Sequence, residues 1–279
     1  HGVGMLPRYI EAVASGQLIP NQRLKMVSDA GAMLVVDGGA GYGQMIGEEA
    51  MKIGIERAET HGVCVLSIRQ SFHLCRIGAW GEQCADAGMI SMHHVNVTGH
   101  LGLVAPHRGG DARFATNPYC CVMPATKNNP HTVLDMATSV VAHWKVRVAR
   151  NKGEEMKPGI LIDGEGRPTT DPNAMFTTPP GAILPFAEHK GYGLALINEL
   201  LAGVLSAGGT CRPELERDAD TILNNMLSII IDPSRLVSKE DYDAEMDAYI
   251  EYVKASPPQD PALPVLVPGD PERLSSAER

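Results

Sequence analysis

A chain of 279 residues, 44% hydrophobic and 20% charged, has the make-up of a globular enzyme and enough apolar material for one large domain or two unequal ones. Its net charge of -9 leaves no basic footprint, which argues against a nucleic-acid partner or an acidic membrane surface; any anion has to be captured locally. The six cysteines form no Cys-x-x-Cys pair and no disulfide framework, and the N-terminus carries no signal-like pattern, so the expected location is the cytoplasm, with no membrane partner.

In chain order, Leu6, Ile10 and Val13 fall on one helical face with Gly16 as a stop, which predicts a short first helix. Residues 32–37 read as a buried strand and 44–60 as a helix with Ile46, Ala50 and Ile53 on one side. Between them lies Gly38-Gly39-Ala40-Gly41-Tyr42-Gly43, the place to test for a Rossmann fingerprint. Gln44 and Ile46 occupy the third-glycine positions, and the next strand, 63–68, runs into Arg69 and Gln70 where an acidic ribose ligand belongs. Both halves of the fingerprint fail, leaving these glycines to a tight turn and close packing. A helix carrying Trp80, Cys84 and Ala87 follows, then a strand over 89–94 and a turn-rich stretch from 99 to 110.

Residues 111–139 carry the densest chemistry. An apolar run through Val122 and Met123 precedes Thr132 to Ser139, which is expected to open a helix continuing with Val141, Trp144 and Val148 inward to about Gly153. Asp135, Thr138 and Ser139 at such a helix entrance suit an anionic ligand, because free N–H groups and the positive dipole end meet there; a capped helix without ligand is the plain alternative. Further on, a strand over 160–163 turns at Gly166, and a helix from about 190 to 205 is apolar on nearly every side, which places it in the core. A buried strand spans 227–231, and Tyr242, Met246, Tyr249 and Val253 stripe an acidic helix before a proline-rich tail.

The ten histidines invite a metal reading, but His93 and His94 point to opposite faces of a strand, and no spacing of acidic and imidazole ligands supports zinc. There is no Gly-x-Ser-x-Gly elbow and no P-loop. Lys190, with Glu188 and His189 at a helix entrance, could meet a phosphate or a carboxylate, or form a structural ion pair.

Taken together and in order, His1-Gly2, Pro7, Gly41-x-Gly43, His73, Pro106 to Gly110, Thr116-Asn117-Pro118, Asp135 to Ser139, Asp163-x-x-Gly166 and Lys190-Gly191-Tyr192-Gly193 resemble the type 2 malate/L-lactate dehydrogenases, on the hydroxycarboxylate dehydrogenase side of that family. The resemblance implies an oxidoreductase that uses NAD or NADP to interconvert a 2-hydroxy acid and a 2-oxo acid. It implies an α/β fold of the family's own non-Rossmann type, with a mixed, largely antiparallel sheet. It also implies a homodimer with a helical part built from the chain ends, here 1–27 and 238–279, around a cofactor-binding core over 28–237. Relatives carry further sequence before His1 and often after Arg279, so a piece of a longer protein is expected.

By position in the resemblance, His1 is the acid/base histidine and His73 a second histidine of the site. Imidazole suits the task, since hydride delivery to a carbonyl carbon requires a proton for the oxygen near neutral pH. The cofactor contacts implied are Thr116, Asn117, Asp135, Met136, Ala137 and Lys190, with Pro268, Gly269 and Asp270 near the C-terminus; Met5, Arg8 and Arg76 are the substrate side, and no metal is expected. Met5 stands where many relatives have an arginine, and an apolar side chain there favours a bulkier 2-oxo acid, such as an arylpyruvate, over malate. Reduction of a cyclic imino acid, or nucleotide binding without turnover, are the competing readings.

Overall fold

The structure, a computed structural model, describes residues 2–217 and 221–278. A short first helix, α1 (Leu6–Ala14), is followed by strands β1 (Lys25–Asp29) and β2 (Met33–Asp37), helix α2 (Gly43–His61), β3 (Val63–Phe72), α3 (Gly78–Asp86) and β4 (Ile90–Thr98). The middle of the chain supplies β5 (Tyr119–Met123), β6 (Thr132–Met136), α4 (His143–Lys152) and the two-residue strands β7 (Leu161–Ile162), β8 (Pro168–Thr169) and β9 (Ala182–Ile183). Helix α5 (His189–Gly203), strand β10 (Leu223–Ile231) and helices α6 (Lys239–Lys254) and α7 (Asp270–Ala277) complete it.

Among the described residues, seven strands form one sheet in the order β1-β2-β3-β10-β4-β5-β6, and β8-β7-β9 form a smaller one. Only the β2–β3 pairing of the large sheet is parallel, as a strand-helix-strand crossover through α2 requires. This is the mixed, largely antiparallel sheet that the resemblance implies. No helix among the described residues is long and apolar enough to cross a membrane.

One face of the sheet is dry. Leu34, Val36, Leu66, Ile68, Val95, Val122 and Ile230 pack there against Ile46 and Ala50 of α2 and Trp80 of α3. Glycines bring these layers together: a Cβ on Gly47 would lie 2.6 Å from the Trp80 ring. The opposite face receives α5 through polar side chains, and a second core around Val104, Phe114, Val146, Leu161 and Ile183 joins the small sheet to α4 and α5.

Several expectations need correction. Residues 132–136 are strand, not helix: Thr132, Val133 and Leu134 pair with β5, opposite Met123, Val122 and Cys121. The chain then stays extended because Thr138 N–H bonds to Thr116 O and Val140 N–H to Leu184 O, so α4 starts only at His143, with Ala142 as a cap that offers no side-chain bond. Cross-strand pairing has overridden the capping signal of Asp135, Thr138 and Ser139, and no helix N-terminus stands at those residues. In α4, Val146 and Ala149 are buried while Val148 faces out.

The first helix is turned as well. Leu6 and Ile10 are exposed, while Met5, Tyr9, Ala12 and Val13 pack inward. In α6, Tyr242, Met246 and Val253 of the expected stripe are partly buried, but Tyr249 is exposed and Ile250 is buried in its place. Helix α5 is not sealed in the core: Leu196, Ile197 and Leu200 are exposed and Asn198 and Glu199 are buried. The boundary drawn at 27–28 falls inside β1, which pairs with β2.

Candidate active site

Strand β3 delivers His73 to the wall of a cleft of about 260 Å³. The backbone there is tightly fixed. Leu74 N–H bonds to Asn224 Oδ1 at 2.8 Å, and a side chain on Gly43 would collide with the His73 carbonyl, so the start of α2 lies directly on that peptide. The Gly38–Gly43 loop thus serves close approach, as its failed fingerprint left it to do: Gly38 N–H and Ala40 N–H bond to the carbonyls of Arg69 and Gln70. Arg8 from α1, Arg76 before α3, and Thr116, Asp135 and Ala137 from the β5–β6 side complete the polar wall, and Val97, Ile222 and Trp144 the apolar one.

Electrostatically, the cleft disfavours imidazolium. Burial, and then the nearby charge of Arg8, lower the His73 pKa to about 4, and burial takes His143 to about 4 as well. His73 is therefore neutral at pH 7, a hydrogen-bonding group and not a carrier of an extra proton. Burial raises the Asp135 carboxyl, against the hydrogen bond it accepts from Gly78 N–H at 2.8 Å and the charge of Arg76. Arg76 in turn forms an ion pair with Glu82.

Arg76 and Asp135 also line a second cavity of about 740 Å³ together with Glu82, Gly269, Glu272 and Arg273. The two spaces share Arg76 and Asp135 as a common wall. The second cavity is bounded on one side by the C-terminal tail: Val133 N–H bonds to Pro268 O at 3.1 Å, and Gly269 caps α7 at a φ of 96° that suits glycine. Against the upward push of burial, hydrogen bonds from Arg273, Lys254 and Val267 N–H hold Asp270 at about 2.

The structure brings together His73, Arg8, Arg76, Thr116, Asp135 and Ala137 around the cleft, and places Gly269 in the adjoining cavity. Other expected residues stand back from it. Asn117 is fully buried with φ +31°, its Nδ2 bonded to Ala195 O and Glu199 Oε2, so its side chain faces away from the cleft. Met136 pairs with Tyr119 on the strand, and Asp270 spends its carboxylate on Lys254 and Arg273. Lys190 is exposed on the first turn of α5, a segment tied to the cleft side by Phe186 N–H bonding to Thr138 O. Met5 is 2% exposed and packs behind Val97, Ala115, Ile222 and Trp144. His1 lies outside the described residues.

Sequence reasoning missed Tyr9 and Cys75, which meet His73, and the buried carboxylate of Glu199. The signal for Tyr9 was present, since Met5, Tyr9, Ala12 and Val13 form a second stripe at helical spacing beside the one chosen. Glu199 gave a weaker one, as an acidic residue in an otherwise apolar helix. The expected divergence of His93 and His94 holds: His93 bonds to Ser91 and Ser228 in the dry layer, and His94 to Asn198 of α5.

Comparison with known proteins agrees with this arrangement. A family model described as malate/L-lactate dehydrogenase matches residues 1–279. Hydroxycarboxylate dehydrogenase B of Escherichia coli strain K12 is 46% identical over 280 residues, covering 100% of this chain and 76% of the relative. An L-lactate dehydrogenase of Cupriavidus necator is 40% identical over 278 residues, covering 100% of this chain and 79% of that protein. A solved structure of a putative malate/lactate dehydrogenase from Escherichia coli superposes with a TM-score of 0.94 at 46% identity, covering 100% of this chain and 77% of that one. The chain belongs to the malate/L-lactate dehydrogenase family of oxidoreductases acting on CH–OH groups.

Proposed function

We propose that this protein interconverts a 2-hydroxy acid and a 2-oxo acid with a nicotinamide cofactor, NAD or NADP, and that its preferred substrates are bulky or aryl 2-oxo acids. The observation that carries this reading is the adjacency of the two spaces. A compact cleft lined by His73, His100 and His143, by the guanidiniums of Arg8 and Arg76 and by an apolar wall shares Arg76 and Asp135 with a second cavity of about 740 Å³, which gives the substrate and the cofactor neighbouring places. When bound, the cofactor supplies the hydride.

The chain's own residues do the rest. Arg8 meets the substrate carboxylate, a task suited to a planar guanidinium. Arg76 is already paired with Glu82 and acts at the junction with the cofactor cavity. His73, neutral at pH 7, holds the substrate oxygen by a hydrogen bond, while His1 moves the proton to and from it. Val97, Ile222 and Trp144, backed by Met5, face the substrate side chain. An arginine at position 5 would place charge in this apolar cluster, so its absence favours an aryl side chain over one that bears a second carboxylate.

On the cofactor side, Thr116, Asp135 and Ala137 form the inner wall, Met136 acts between them through its place on the strand, Asn117 shapes the wall from behind, and Pro268, Gly269, Asp270 and Lys190 act at the outer parts. The division into a helical part from 1–27 and 238–279 around a core over 28–237 belongs to the same reading, as does a cytoplasmic location, in keeping with thiols that are all free among the described residues. A homodimer belongs to it too: Leu196, Ile197, Leu200, Val204 and Leu205 on and just beyond α5, with Leu6 and Ile10 on α1, leave an apolar surface to be covered.

The test is a panel of phenylpyruvate, pyruvate, oxaloacetate and a cyclic imino acid, followed by NADH and NADPH absorbance. Phenylpyruvate should give the highest kcat/KM. Oxaloacetate turned over far faster would refute the inference from Met5, and turnover of the imine alone would refute 2-oxo acid chemistry.

A further inference from the structure

His73 does not stand alone. Tyr9 Oη lies 3.1 Å from its Nδ1 and 3.2 Å from Cys75 Sγ. Gln44, at the start of α2, aims its Nε2 at both Tyr9 Oη, 3.2 Å away, and Cys75 Sγ, 2.9 Å away. Two segments distant in sequence, α1 and the start of α2, therefore meet beside the His73–Cys75 stretch at the Nδ1 edge of the imidazole.

The proton positions follow from the donor and acceptor inventory. The Gln44 amide nitrogen has only hydrogens to give, so the Tyr9 oxygen and the Cys75 sulfur both accept from it. Tyr9 then has a single hydrogen to place. An imidazole nitrogen is a strong acceptor and a thiol sulfur a weak one, and Cys75 Sγ is itself 3.8 Å from Nδ1. The tyrosine hydrogen goes to His73 Nδ1. With Nδ1 accepting, and with the ring neutral, its one proton must sit on Nε2.

Little freedom remains for other arrangements. The His73 backbone is pinned between Gly43 and the Asn224-bonded Leu74, and Cys75 holds a φ of +62° that turns its side chain back toward Tyr9. The Tyr9 ring packs on Phe72 and Tyr42 with centroids 5.8 Å and 6.1 Å away. Burial raises the Tyr9 hydroxyl far above its usual pKa, so the donor stays protonated at any working pH.

We propose that Tyr9, oriented by Gln44, is a positioning residue that locks His73 as the neutral Nε2–H tautomer, so that His73 meets the substrate oxygen as a hydrogen-bond donor. This rests on the reading that His73 faces the substrate, whereas the tautomer itself can be measured without any substrate.

The experiment combines nitrogen NMR of the ¹⁵N-histidine-labelled protein, with His73 signals assigned by His73→Gln, with kinetics of Tyr9→Phe, Gln44→Leu and Cys75→Ala. In the unmodified protein His73 should show a protonated Nε2 and an unprotonated Nδ1. Tyr9→Phe keeps the ring packing and should give a mixture of tautomers. With it should come a loss of about tenfold in kcat/KM for the 2-oxo acid, equivalent to ~1.4 kcal/mol. Cofactor Kd should move less than about twofold, a split that a general loss of packing would not produce. Gln44→Leu should shift the tautomer in the same direction, and Cys75→Ala should leave it unchanged. A proton on Nδ1 of the unmodified protein overturns the proposal, as does a tautomer unmoved by Tyr9→Phe. Unimpaired turnover by His73→Gln also overturns it. A protein inactive on every 2-oxo acid overturns the proposed function instead, and the tautomer measurement then still decides the role of Tyr9.

Discussion

Glu199 is a carboxylate 5% exposed, and it accepts hydrogen bonds from Asn96 Nδ2 (2.8 Å), Asn117 Nδ2 (2.7 Å) and Cys211 N–H (2.6 Å). Burial raises its pKa while those bonds hold it partly back. Replacing it by alanine removes the shared acceptor of these donors, although Asn96 Nδ2 keeps Gly209 O and Asn117 Nδ2 keeps Ala195 O, so Glu199→Ala should destabilise by ~1–3 kcal/mol in denaturant unfolding. Glu199→Gln should lose less, because one oxygen and the shape survive. Asp135 makes a different case. Its importance was legible from the motif around it, but its element was not, because Asp, Thr and Ser read locally as a helix cap and only the register with Cys120 makes position 135 a strand residue. Asp135→Ala should weaken cofactor binding about tenfold or more, ~1.4 kcal/mol, in a fluorescence titration, and it also releases Gly78 N–H. Unchanged affinity would move the cofactor away from this wall.

The inward face of α2 was legible from its spacing; those of α1, α4 and α5 were not. In α2, Ile46, Ala50 and Ile53 point inward as their spacing predicts, since that helix lies on the apolar side of the sheet. In α5 the same logic fails, because its inner face meets Asn96 and His94 and carries Asn198 and Glu199. A sequence pattern reports hydrophobicity, not direction, and an apolar face turned outward looks the same as one turned inward. For the proposed homodimer, Leu200→Glu with Val204→Glu should leave the fold intact and shift size-exclusion elution to the volume of a monomer; an unchanged elution volume would refute an interface on this face. The glycines of the loop before α2 were read correctly as packing devices. Gly43→Ala should force the helix start away from His73, lower stability by ~1–3 kcal/mol and reduce turnover, as read by thermal unfolding and steady-state kinetics.

Across the whole molecule, His73, His93 and His143 share one property. Burial lowers their pKa values to about 4, 3 and 4 from an ordinary 6.5, so in the folded protein they stay neutral where the unfolded chain takes up protons. Stability is then fully present above about 6.5 and lost as pH falls toward 4, by up to ~1.4 kcal/mol per pH unit for each fully shifted histidine. The raised carboxyls of Asp135 and Glu199 gain protons on folding and oppose part of that loss. Melting temperature measured from pH 8 to pH 4 should fall most steeply below about 6.5, and a His93 substitution that keeps its two serine bonds should flatten the slope. The architecture as a whole was legible through the family motifs; the tail was not, because a proline-rich segment has no periodicity to read. Yet its Pro268 O accepts a hydrogen bond from Val133 N–H and so covers part of β6, an outer strand of the large sheet. An edge strand left open offers a template for another chain, and the segment that makes this contact also lines, through Gly269, the cavity proposed for the cofactor. If the cofactor binds there, occupancy should hold the tail on β6, and a saturating cofactor should slow aggregation of the native protein.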